Sequence, residues 1–168
     1  PSGVIYVRPV NMAGSMQMCK MVSCSYYLID FDASAPYITP DGNHVPYSDS
    51  AHRSRPGIYK SVYSMIGIQR SRRDDMMSLG YSLVHIARGY LPWYTPSIRN
   101  DPQLLVHTMQ TASISSICST LPGAFYEYFD HIMNLGFYDR PNYKHLRKLF
   151  IRDKKKIEAL SLLSFVST

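Results

Sequence analysis

The chain has 168 residues, of which 45% are hydrophobic and 18% charged, with Lys and Arg outnumbering Asp and Glu by 18 to 12. That length suits one ordinary domain able to bury roughly 70% of its unfolded surface, and the composition excludes a disordered or low-complexity chain. No apolar run approaches the ~18 residues of a membrane span and no basic segment leads into an apolar one at the start, so an intracellular, cytoplasmic or nuclear protein without a membrane segment is expected.

Cys19, Cys24 and Cys118 form no paired framework, and the Cys19 to Cys24 spacing lacks a second pair to complete a zinc site. They read as free thiols in a reducing compartment. The formal charge of +6 gathers at Arg53 and Arg55, at Arg70 to Arg73, and at Arg147 to Lys156. Such clusters suit phosphate or acidic partners; without interleaved aromatics or a nucleic-acid motif they do not point to nucleic acid.

In chain order, Val4-Ile5-Tyr6-Val7 is strand-like and Arg8-Pro9-Val10-Asn11 reads as loop. Met12 to Ser25 suits a short hairpin turning at Gly14-Ser15, and Tyr26 to Phe31 a strand. Pro36, Pro40 and Asp41-Gly42 mark a loop. Ser71 then makes a good N-cap, Asp74 and Asp75 place acid in a first helical turn, and Met76, Leu79, Leu83, Val84, Ile86 and Ala87 follow at helical spacing up to Arg88-Gly89. Apolar groups surround nearly the whole circumference, which predicts a spine helix buried on most sides.

Pro102 opens a further helix through about Cys118, with Leu104, Leu105, Ile114 and Ile117 as contacts. Another starts at Leu121-Pro122-Gly123, with Phe125, Phe129, Ile132, Met133 and Leu135 in phase and Gly136 closing it. From Asp153, Ile157, Leu160 and Leu163 suggest a final helix. His107, His131 and His145 lie apart in sequence and read as surface or satisfied core residues.

The run Gly67-Ile68-Gln69-Arg70-Ser71-Arg72-Arg73-Asp74-Asp75, continuing through Ser78-Leu79-Gly80-Tyr81 to Leu91-Pro92-Trp93, resembles the central large-lobe helix of the casein kinase 1 family. His44-Val45-Pro46-Tyr47 is similar to the family's His-Ile-Pro-Tyr, and Pro141-Asn142-Tyr143 with Leu146-Arg147-Lys148-Leu149-Phe150 to its Pro-x-Tyr-x-x-Leu-Arg-x-Leu-Phe. The resemblance covers roughly residues 4 to 152. It implies a mainly α, kinase-like C-terminal lobe: a helical bundle with a short β-hairpin near the N-terminus. Within residues 1–152 it places a catalytic-loop remnant at 1–12, an activation segment at 30–61 and a helical core at 71–152, leaving 153–168 as a helical tail.

By the same resemblance the catalytic Asp position is occupied by Tyr6, whose phenol is neutral near pH 7 and does not replace a carboxylate as proton acceptor. Arg8 falls on the catalytic-loop Lys. Asn11 and Asp30 retain the magnesium-ligand positions, Asp30 within an Asp30-Phe31-Asp32 version of Asp-Phe-Gly. Asp32 lacks glycine's conformational freedom and either adds a second carboxylate or caps a turn.

Asp75 matches the family's helix Asp, which accepts hydrogen bonds from catalytic-loop backbone; Asp75 and Arg147 are thus expected to be structural. Where the family has Thr-Gly-Thr-Ala-Arg-Tyr this chain has Ser54-Arg55-Pro56-Gly57-Ile58-Tyr59, so the family's phosphate-reading basic residue is Ile58. Arg53 and Arg55 are then either solvated or a replacement anion site.

None of the nine glycines forms even a Gly-x-Gly, so no small-lobe phosphate loop is legible, and phosphoryl transfer depends on such positioning. The expectation is a non-catalytic, casein kinase 1-type interaction or scaffold module, with a protein partner or larger assembly and no cofactor. The alternative is the C-terminal part of an active serine/threonine kinase, which would use Mg-ATP only with a small lobe supplied.

Overall fold

A computed structural model describes residues 34–166, with side chains given to Lys155 except for that of Arg99. Contacts divide the chain after Pro36, and the unit described below begins at Tyr37. The hairpin expected at 12–25, the strand at 26–31 and the sites at Tyr6, Arg8, Asn11 and Asp30 lie outside the described residues.

Among the described residues seven helices follow in order: α1 (Val62–Ile66), α2 (Arg72–Arg88), α3 (Pro96–Arg99), α4 (Pro102–Thr111), α5 (Ile114–Ile117), α6 (Gly123–Met133) and α7 (Tyr143–Val166). Among the described residues the only β pairing is an isolated antiparallel bridge between Ile38 and His44. The unit is a helical body, as the sequence implies for a kinase-like large lobe.

Capping residues set the helix ends. The Asp101 carboxylate accepts from the N–H groups of Gln103 (2.9 Å) and Leu104 (3.0 Å), leaving Pro102 at the start of α4 where no amide is needed. Gly89 closes α2 at φ 84°, a left-handed conformation that glycine adopts cheaply. Arg88, just before it, ties α2 to α5 by donating to the carbonyls of Ser116 (3.1 Å) and Ile117 (2.9 Å).

The helix expected from Pro102 to Cys118 is broken. Ala112 is extended (φ −65°, ψ 123°), and Ser113 starts α5 by accepting from the Ser116 N–H. A serine side chain able to satisfy a nearby amide offers the backbone an alternative to continuing the helix. Ile117 is fully buried, while Leu104, expected as a contact, stays 40% exposed.

The core sits where α2 crosses α6. Tyr81 stacks on Phe129 with centroids 5.7 Å apart and meets Trp93 edge-on at 4.9 Å. Tyr128 sends its hydroxyl to the Met76 carbonyl at 2.8 Å, which satisfies a phenol whose pKa burial pushes well above its ordinary value. Gly80 makes the close approach possible, because a Cβ there would lie 2.8 Å from Tyr128 Cε1 and 2.9 Å from Phe129 Cζ.

The spine helix is less enclosed than its composition predicts. Met77, Gly80, Tyr81 and Val84 are buried, but Leu79 and Ile86 remain 38% and 47% exposed on the opposite side, with Asp75 one turn before Leu79. Apolar composition fixed which residues can be buried, not which ones meet a neighbour.

α7 packs on α6 through Leu146, Leu149 and Phe150, the last edge-on to Phe125 at 5.2 Å. The sequence set a tail apart at Asp153, whereas α7 runs through that point without interruption. Asp153 itself accepts from the Ala124 N–H at 2.7 Å, in the first turn of α6, and so belongs to the packed body.

Gly80→Ala should destabilise the fold by ~1–3 kcal/mol, because two packed rings have to move apart. Chemical denaturation of the two proteins checks this; an unchanged midpoint would mean that α2 and α6 do not meet so closely.

Candidate functional site

The expected activation segment is held by its backbone. Ala51, Ser54 and Gln69 donate to Gly67, Ser64 and Ser48 carbonyls at 2.9, 2.9 and 2.8 Å, knitting residues 48–54 to the stretch 64–69. Gly67 closes α1 at φ 96°, and a Cβ there would stand 3.2 Å from the Ala51 carbonyl oxygen. Farther on, Trp93 donates its indole N–H to the Ile58 carbonyl at 2.8 Å while Ile58 packs against the core. The Ile58 side chain is therefore turned to packing.

A groove of about 520 Å³ opens between residues 53–56, the end of α1 and the outer side of α4. Met65 and Val106 give it apolar walls, and Gln103, His107 and Gln110 supply hydrogen-bonding groups. Arg53 and Arg55, the expected anion site, both line it and are exposed. Lys60 backs the loop, donating to the Arg55 carbonyl at 2.9 Å. Partial burial lowers the Lys60 pKa, and the nearby Arg70 and Arg55 lower it further. Among the described residues no acid forms an ion pair with Arg53, Arg55, Lys60 or Arg70. Sequence spacing put the two arginines together; Lys60 enters through a fold contact that no local pattern signals.

The basic run 70–73 divides. Arg72 reaches the Tyr138 carbonyl at 2.6 Å and lies over the Tyr37 ring. Arg73 is buried, 3.8 Å from the Tyr63 ring centroid. These two cations hold the fold together and are not free for a ligand.

Asp74, rather than its neighbour, is the buried carboxylate at the head of α2. It accepts from the Ser71 N–H at 2.8 Å and from the Ser61 hydroxyl, joining the start of α2 to α1. The signal was present in the sequence, as an acid three residues after the N-cap Ser71. Asp75 reaches solvent, and among the described residues nothing donates to it. Surrounding protein atoms and the adjacent Asp74 charge raise its pKa above the ordinary carboxylate value, with Arg70 pulling the other way.

Arg147, expected to be structural, is exposed on the outer side of α7 without an ion pair among the described residues. His131 and His145, far apart in sequence, come together with centroids 6.1 Å apart, and His131 Nε2 accepts from the Asn142 N–H at 3.2 Å. No metal-holding group of three or more His, Cys, Asp or Glu exists among the described residues. Cys118 is buried and free, and burial pushes its thiol up to about 11, so it is a packing residue rather than a nucleophile. No described helix is long and apolar enough to cross a membrane.

Asp74→Ala should cost ~1–3 kcal/mol, since it strands a buried amide, and denaturant titration measures it. Asp75→Asn should act in the opposite direction. A carboxyl with a raised folded-state pKa contributes most while protonated, below its unfolded pKa, and that contribution is lost as pH rises through the folded value. The permanently neutral Asn should therefore match or exceed wild-type stability near neutral pH and lose the advantage in acid. A loss at neutral pH would instead show that the Asp75 carboxylate is holding backbone donors.

No protein-family model matches the chain. A probable casein kinase I homolog of Encephalitozoon cuniculi is 34% identical over 128 residues, covering 73% of this chain and 40% of the relative. Casein kinase I homolog 2 of Schizosaccharomyces pombe is 33% identical over 128 residues, covering 74% of this chain and 29% of that protein. The chain thus spans well under half the length of these curated relatives.

Proposed function

Because the chain belongs to the casein kinase 1 family and carries the helical body of its large lobe, we propose that it acts as a non-catalytic interaction module within a larger protein assembly. The observation that carries this reading is Ile58. At the position where the family resemblance calls for a phosphate-reading cation, an alkyl side chain packs on the core and its carbonyl is taken by Trp93. The family resemblance adds Tyr6 at the catalytic Asp position, and a neutral phenol is a poor proton acceptor near pH 7. The helical framework is retained while the phosphate-handling positions are changed, a division that favours binding over phosphoryl transfer.

The Arg53–Arg55 groove is the surface assigned to a partner's acidic groups. Its cations lack ion-pair acids among the described residues, and its Met65 and Val106 walls offer apolar contact beside them. Neither nucleotide nor magnesium is needed for this role. Asn11 and Asp30 are the residues that an active kinase reading would call on.

Phosphate transfer from radiolabelled Mg-ATP or Mn-ATP to an acidic peptide, measured with the longest natural form of the protein, tests the central claim. Turnover at the level of a buffer blank is expected, unchanged by Asp30→Ala. Transfer that Asp30→Ala abolishes would overturn it in favour of an active kinase. For the groove, the double charge reversal Arg53→Glu with Arg55→Glu should weaken binding of an acidic peptide by roughly tenfold at low salt, read by fluorescence anisotropy. Equal affinity in both proteins removes the groove from the proposal.

A further inference from the structure

We propose that the outer face of α7 is a second docking surface, shaped for an acidic helix of a partner protein. Between Lys144 and Lys155 the helix carries Lys144, Arg147, Lys148, Arg152, Lys154 and Lys155 against the single acid Asp153. That segment holds most of the chain's formal excess of +6. Solvated helix faces usually mix signs, with acids one turn from bases, and this one does not.

The inward side of α7 is occupied. Leu146, Leu149 and Phe150 pack on α6, and Asp153 caps its first turn. Arg152 is taken by Glu127 at 2.6 Å and by Asp153 at 3.1 Å. What remains lies diametrically opposite the core. Lys144, Lys148, Ile151 and Lys155 recur at helical intervals along one line, with Arg147 on its flank. All five are exposed, Ile151 by 45%, and no acid among the described residues pairs with the four cations. At ~1.5 Å per residue the line is about 16 Å long.

A straight row of cations about one turn apart, with one aliphatic side chain among them, matches carboxylates repeated on a second helix lying alongside. Charge pairs would flank a small apolar contact, as at the edges of a coiled coil. A membrane surface fits less well, because an interfacial helix buries a broad apolar face and the apolar face of α7 is spent on α6. Single-stranded nucleic acid calls for stacking side chains, and the line offers none. This assignment gives Arg147 a binding role in place of the structural one expected from sequence. It holds whether or not the protein transfers phosphate.

The test is fluorescence anisotropy with a labelled synthetic helix bearing Glu one turn apart and Leu between, titrated with the full chain at low and high salt. Lys148→Glu with Lys155→Glu should lower affinity roughly tenfold and flatten the salt dependence. Arg70→Glu with Arg140→Glu, an equal change in net charge at exposed positions off this line, should leave affinity for this probe within about twofold. Circular dichroism confirms that both variants fold, as exposed positions predict. The proposal is overturned if the two double variants lose affinity equally, if the α7 variant loses none, or if duplex DNA or phosphatidylserine vesicles bind α7 more tightly than the peptide.

Discussion

The missing side chain of Gly80 governs the packing of this molecule. Two ring atoms stand where its Cβ would be, which lets α2 and α6 approach until Tyr81, Phe129 and Trp93 share one aromatic contact set. Trp93 in turn extends that contact outward through its hydrogen bond to Ile58. The loop that carries Ile58 is thereby referenced to the interior, while Asp74 ties α1 to the head of α2 through Ser61 and Ser71. Aromatic burial supplies most of the energy at such a crossing, and the hydrogen bonds fix which loop conformation accompanies it.

Local chemistry in the sequence was a good guide wherever it determines structure by itself. Ser71 at the start of α2, Gly89 at its end and Pro102 at the head of α4 each act within a few residues, and each stands where its chemistry predicts. The apolar phase of α6 also held, with Phe129 and Ile132 fully buried. Readings failed where the outcome depends on what an element meets. Leu79, Ile86 and Leu104 have core-like side chains without a covering neighbour among the described residues. The break before α5 turns on one serine competing for an amide. For the candidate site, Arg53 and Arg55 were visible as neighbours in sequence, whereas Lys60 and the α4 wall of the groove come from contacts with no sequence period. Asp74 was legible as a first-turn acid, but its burial against Ser61 comes from a fold contact.

Charge is unevenly used across the chain. Arg72 and Arg73 are consumed by carbonyl and ring contacts, and Arg152 by two acids. Two groups without an ion-pair acid among the described residues are Arg53 and Arg55 at the groove, and Lys144, Arg147, Lys148 and Lys155 along outer α7. A formal charge of +6 therefore understates the local fields at those two places and overstates the basicity near the head of α2. Net charge predicts a preference for acidic partners; only placement says where they would sit.

The chain has a single tryptophan, and it is the fully buried indole that holds the Ile58 carbonyl. Its tryptophan emission thus comes from one dry site with one hydrogen-bond acceptor, beside the loop that carries the groove arginines. Loosening of that loop would admit water to the ring and shift the emission to the red, so the protein carries a native optical reporter of the anchorage of its Ile58 loop, free of any attached dye.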